Sequence, residues 1–142
     1  MAANVLIVDD SATMRRMIAR TLAMSGLDVG QTYEAGNGIE ALARLAEHEV
    51  ALIILDINMP VMNGLKLLTR MRDDSRMAHI PVVIASTEGS ETRLQELEAA
   101  GAVGFVRKPF QPESLRHVLE PIIGLAPCGL AAESTEVDDG AF

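Results

Sequence analysis

The stretch NVLIVDDSATMRRM, residues 4–17, contains both of the rhythms from which the rest of the chain is built. Val5 to Val8 make an unbroken apolar run, short and β-branched, which reads as a strand covered on both faces. Two adjacent aspartates, Asp9 and Asp10, follow at once, and Ser11 is suited to cap a helix. Beyond it the period changes: Met14, Met17, Ile18, Thr21 and Leu22 share one helical face, and Gly26 offers a stop. Carboxylates side by side at the mouth of a buried strand repel each other and lose solvation. Something else in the molecule must offset that cost.

The same strand-then-helix unit recurs. ALIIL (51–55), PVVIA (81–85) and GFV (104–106) read as further strands, with 29–33 as a weaker one. Ile39, Leu42, Ala43 and Ala46 make a second helical stripe, begun at Asn37 and Gly38. Leu65, Leu68 and Met71 make a third, and Leu94, Leu97 and Ala100, closed by Gly101, a fourth. Leu115, Val118, Leu119 and Ile122 make a fifth, with Pro112 in its first turn. Pro121 lies inside that last pattern and predicts a kink or an early end, since it removes a backbone donor. Five alternations of strand and helix predict an α/β fold with a parallel sheet covered by helices on both faces.

The bulk properties agree. The 142 residues are 49% hydrophobic and 23% charged, which suits one globular domain with a real core. Only 3% are aromatic, so the core is expected to be aliphatic, with Met14, Met17 and Met71 as filler. The single cysteine, Cys128, allows no intrachain disulfide. No basic segment followed by a long apolar stretch opens the chain, and no apolar run approaches the roughly 18 residues of a membrane span. A cytoplasmic domain with no membrane partner is therefore expected. The net charge of -8 disfavours nonspecific nucleic-acid binding. Part of it resides in Glu133, Glu136, Asp138 and Asp139, within an aperiodic stretch that predicts a flexible acidic tail over 126–142 after a folded domain over 1–125. His48, His79 and His117 are isolated and expected at the surface.

In an open parallel sheet, ligands bind at the carboxyl ends of the strands. Here a chemically loaded residue follows one apolar run after another: Asp9 and Asp10, then Asp56, then Ser86 and Thr87, then Lys108. Singly, each has an ordinary reading as a turn residue, a helix cap or a solvated cation. Jointly they predict one site with three carboxylates, hydroxyls and an ammonium. A divalent cation resolves the conflict among the acids, and Mg2+ accepts carboxylates while keeping some waters. An ionised Asp56 could then attack a phosphoryl group to give an aspartyl phosphate, with Lys108 neutralising charge and Ser86 hydrogen-bonding the product.

VDDS (8–11), LDINMPVMNG (55–64), VVIAST (82–87) and VRKPF (106–110) resemble, in order and spacing, the receiver domain of two-component response regulators. The likeness is closest to small CheY-like members and covers residues 4–125. It implies a doubly wound, flavodoxin-like sheet of order 2-1-3-4-5 with five helices. It also implies that Asp56 is the phosphoacceptor, that Asp10 binds Mg2+ directly with Asp9 assisting, and that the Asn58 backbone carbonyl is a third ligand. Ser86 would be the switch hydroxyl, Lys108 its cationic partner, and Pro109 a cis residue aiming that lysine. Phe105 matches the aromatic switch position, although without a hydroxyl it can act only through ring packing. Thr87 stands where Ala or Gly is usual and implies slower exchange with small phosphodonors, while Asn58 and Glu88 flank the hydrolytic water. After Leu125 too few residues remain for even a small helical DNA-binding module.

The favoured function is a stand-alone switch in a chemotaxis or motility setting. It is phosphorylated by a sensor histidine kinase or a histidine phosphotransfer protein and read by a protein target at the helix 4–strand 5–helix 5 face. A phosphate sink or relay intermediate is the alternative. A turnover phosphatase is disfavoured, because the acid/base carboxylate such enzymes place two residues past the nucleophile is here Asn58. A nucleotide-binding domain is disfavoured because the first strand-to-helix turn, DDSATM, has no glycine.

Overall fold

The computed structural model describes residues 3–56, 64–86, 91–108 and 111–124. Ten elements alternate: β1 (Ala3–Val8), α1 (Ala12–Ala23), β2 (Val29–Ala35), α2 (Gly38–Glu47), β3 (Leu52–Leu55), α3 (Gly64–Arg72), β4 (Val82–Ser86), α4 (Glu91–Ala99), β5 (Gly104–Arg107) and α5 (Pro112–Ile123). All strand pairings are parallel, and the sheet order is β2-β1-β3-β4-β5, as the family resemblance implies.

The apolar runs are continuous because both faces of the sheet are buried, and the pleat divides them residue by residue. On β1, Leu6 and Val8 face one core and Val5 and Ile7 the other. On β3, Ile53 and Leu55 go to the first, Leu52 and Ile54 to the second. The first core is filled from the helices by Ala41, Leu67, Leu68, Met71 and Leu97, so α2, α3 and α4 cover that face. Ile18, Leu22, Leu115 and Leu119 place α1 and α5 on the other. Each such fully buried Leu or Ile contributes about 1.5–3 kcal/mol of transfer free energy. The cores contain no tryptophan; among the described residues the largest fully buried side chains are Leu, Ile and Met.

The helix starts follow their caps. Ser11 Oγ accepts from the Met14 N–H at 3.2 Å, and Asn37 Oδ1 from the Glu40 N–H at 2.9 Å. Three expectations need correction. Met17 is 54% exposed, so only Met14 and Met71 of the three methionines serve the cores. On α2 the inward residues are Ala41, Leu42 and Leu45, while Ile39 is 52% exposed, because the stripe is rotated from the one the periodicity suggested. α5 runs past Pro121 to Ile123 and ends where Gly124 adopts φ +78. The donor lost at Pro121 belongs to the final turn on an exposed face, where water can satisfy the orphaned carbonyl. The segment over 126–142 lies outside the described residues.

Candidate functional site at the carboxyl edge of the sheet

The chain leaves β1 toward one side of the sheet, through α1 to β2, and then crosses through α2 to β3 on the other side. This reversal opens a crevice at the carboxyl ends of β1 and β3. Val8 pairs with Leu55 across that junction, so the next residues, Asp9 and Asp56, leave adjacent strand tips together. The Asp56 N–H donates to Val8 O at 2.9 Å, and the Asp9 N–H to Ala35 O at 3.1 Å, which extends both ladders by one residue.

Asp9, Asp10 and Asp56 each present a carboxylate oxygen, and these atoms all lie within 4.8 Å of one another. Asp9 is 2% exposed, Asp56 half-buried, and Asp10 open to solvent. Lys108 arrives from the end of β5, its own N–H donating to Ser86 O at 2.9 Å. Its Nζ donates to Asp9 Oδ2 at 2.6 Å and stands 4.0 Å from Asp56 Oδ1. Ser86, the last residue of β4, is buried at the same edge. Asp9 Oδ1 accepts from the Ser11 N–H at 2.9 Å, so both oxygens of this buried acid are engaged.

The donor set tests whether a cation belongs here. It is anionic and all oxygen, with neither sulfur nor imidazole, which suits a small hard divalent ion and no soft metal. Asp10 makes no hydrogen bond or ion pair among the described residues, leaving its carboxylate available. Mg2+ fits these residues.

Asp9, Asp10, Asp56, Ser86 and Lys108 thus converge at one edge. Phe105 lies on β5 with its ring half-buried against the core that also holds Leu97 of α4. Asn58, Thr87, Glu88 and Pro109 lie outside the described residues. One contributor escaped the sequence reading: Arg15 of α1, whose Nη1 donates to Asp9 O at 2.6 Å. A groove of about 910 Å3, lined by Asn4, Leu45, His48, Arg70, Met77 and Ile80 among others, opens at the opposite, amino end of the strands and takes no part in this cluster.

A family model of the response regulator receiver domain matches residues 5–120. The chain belongs to that family. This receiver is 40% identical to chemotaxis protein CheY1 of Helicobacter pylori over 122 residues, which cover 85% of this chain and 97% of that protein. It is 38% identical to the chemotaxis protein CheY homolog of Campylobacter jejuni over 131 residues, 92% of this chain and 99% of that one. Among solved structures, chemotaxis protein CheY4 of Vibrio cholerae superposes with a TM-score of 0.78 at 37% identity, covering 87% of this receiver and all of that chain. The same sheet order and the same helical layers are therefore expected of its relatives, and the receiver is a CheY-like response regulator.

Proposed function

We propose that this receiver takes a phosphoryl group onto Asp56 from a phosphohistidine, carried by a sensor kinase or a histidine phosphotransfer protein, and thereby changes its binding to a downstream protein. The observation that carries the proposal is the convergence of Asp9, Asp10 and Asp56 within 4.8 Å beside a buried lysine.

An Asp56 oxygen attacks phosphorus while the donor's phosphorus–nitrogen bond breaks; the imidazole leaves with that electron pair, and an acyl phosphate forms. Asp9, Asp10 and Asp56, with the Asn58 carbonyl as a further ligand, would hold Mg2+, which would supply positive charge to offset the acids and the oxygens in transfer. Lys108, 4.0 Å from Asp56, needs only a small swing away from Asp9 to meet the new phosphoryl oxygens. Ser86, on the adjacent strand tip, offers them a hydroxyl donor. The receiver modifies its own side chain and turns over no substrate.

Phe105 shares β5 with the segment leading to Lys108, so a movement of the lysine is transmitted toward α4 and α5. The target-binding surface is accordingly assigned to the α4–β5–α5 face. The names of the Helicobacter pylori and Campylobacter jejuni relatives, both chemotaxis proteins, support a place in motility control. The test is incubation with a small acyl phosphate with and without Mg2+, read by intact mass. The wild type gains one phosphoryl group only with Mg2+, and Asp56→Asn gains none while keeping its circular dichroism. Labelling that persists in Asp56→Asn overturns the assignment.

A further inference from the structure

Asp9 is held at every polar atom. Its N–H donates to Ala35 O, its carboxylate oxygens accept from the Ser11 N–H and Lys108 Nζ, and its carbonyl accepts from Arg15 Nη1 at 2.6 Å. The last of these is the one with a consequence beyond Asp9. The carbonyl of Asp9 belongs to the peptide plane that leads into Asp10, and a planar peptide that cannot rotate fixes the position of the next Cα, from which the Asp10 side chain departs. Asp10 itself has no hydrogen bond or ion pair among the described residues. The plane that Arg15 grips therefore sets the point from which the Asp10 carboxylate reaches out.

Arg15 is in turn not free to wander. Its Nε donates to Glu34 Oε1 at 2.9 Å, and its side chain is only 17% exposed against 42% for Glu34. Glu34 lies on β2, whose carbonyl at the same residue accepts from Arg44 Nε at 3.3 Å. Close by, the Gly36 N–H donates to Glu40 Oε1 at 2.8 Å, and a Cβ at Gly36 would stand 3.5 Å from Arg15 Nη1. The guanidinium thus fills a fitted slot between α1, the end of β2 and the start of α2. A planar fork can serve two acceptors in different directions at once; an ammonium on a flexible stem cannot hold both with the same geometry.

We infer that Arg15, oriented by Glu34, is a positioning residue for the Mg2+ site, holding the Asp9–Asp10 peptide so that Asp10 faces the ion. The inference rests on the reading of the carboxylate cluster as that site. It is separable from a charge effect by sign. If Arg15 acted only as a nearby positive charge, its removal would tighten binding of a cation. If it positions a ligand, its removal weakens binding, and outer partners of metal ligands typically account for about 10–100-fold in affinity.

The experiment is calorimetric titration of the purified protein with MgCl2, alongside thermal melts in EDTA. Arg15→Ala is expected to weaken Mg2+ binding about tenfold. Arg15→Lys loses most of the same affinity despite its retained charge, and Glu34→Gln shows an intermediate loss that disappears in an Arg15→Ala background. Arg15→Lys and Glu34→Gln keep the test decisive should Arg15→Ala fail to fold. Unchanged or tighter Mg2+ binding in these variants, beside a wild type that binds, overturns the role of Arg15 alone. A wild type that binds no Mg2+ removes the reading of the cluster and this inference with it.

Discussion

Lys108 carries an ammonium into a cluster of three carboxylates, with Nζ against Asp9 and its side chain 8% exposed. Among the described side chains it is the countercharge set against the buried Asp9 carboxylate. Lys108→Ala should destabilise the protein in EDTA by about 2 kcal/mol, less than for a sealed pair because Asp10 opens the cluster to water. Added Mg2+ should then narrow the gap to wild type, since the ion and the lysine balance the same acids; melting temperatures across a MgCl2 series measure this. A gap that does not shrink would mean that the two charges act independently. Asp9, Asp10, Asp56, Ser86 and Lys108 were legible in the sequence because each closes an apolar run, and parallel strands deliver their ends to one edge. Arg15 was not. In DDSATMRRM it looks like its neighbour Arg16, and only the pairing of β1 with β2 brings Glu34 beside one and leaves the other in solvent.

Elements here are fastened at their ends as well as along their faces. Arg72, in the last turn of α3, donates to Gly101 O through Nη2 at 2.8 Å and to Ala78 O through Nη1. One guanidinium thereby ties α3, the loop before β4 and the turn between α4 and β5. Gly101 has φ +115, and a Cβ there would strike the Arg72 guanidinium. Gly101→Ala should cost about 2 kcal/mol or more, from left-handed backbone strain and from displacement of Arg72. In urea titrations, Arg72→Ala should remove the second part of that penalty, so the double variant should be less unstable than the sum of the two. Strictly additive losses would show that arginine and glycine do not interact. Apolar periodicity placed all ten elements, since burial on both faces leaves runs such as LIIL unambiguous. It was weaker for β2, an edge strand whose pattern VGQTYEA is only partly buried and extends to Ala35. Period also assigned too much to the core on α1 and α2: a helix lying on a sheet buries a narrower stripe than Met17 and Ile39 would require.

Over the whole molecule the sheet is a partition. Ile53 and Ile54 are adjacent in the chain, both fully buried, and belong to different cores. Ile53→Val and Ile54→Val should each cost about 0.5–1.5 kcal/mol. Their double variant should equal the sum to within about 0.5 kcal/mol despite the shared peptide bond, as read by urea midpoints. A larger coupling would show that strain crosses the sheet. The partition also places the rim between two layers: Arg15 reaches Asp9 from α1 on one side, while Phe105 packs against the core under α4 on the other. Lys108 and Asp9 meet across 99 positions of sequence, and Lys108 directly follows β5, the last strand of the sheet in chain order. A nascent chain on the ribosome therefore displays its acidic residues long before it owns the lysine that completes them. A chain cut short before β5 would carry the carboxylates without that ammonium.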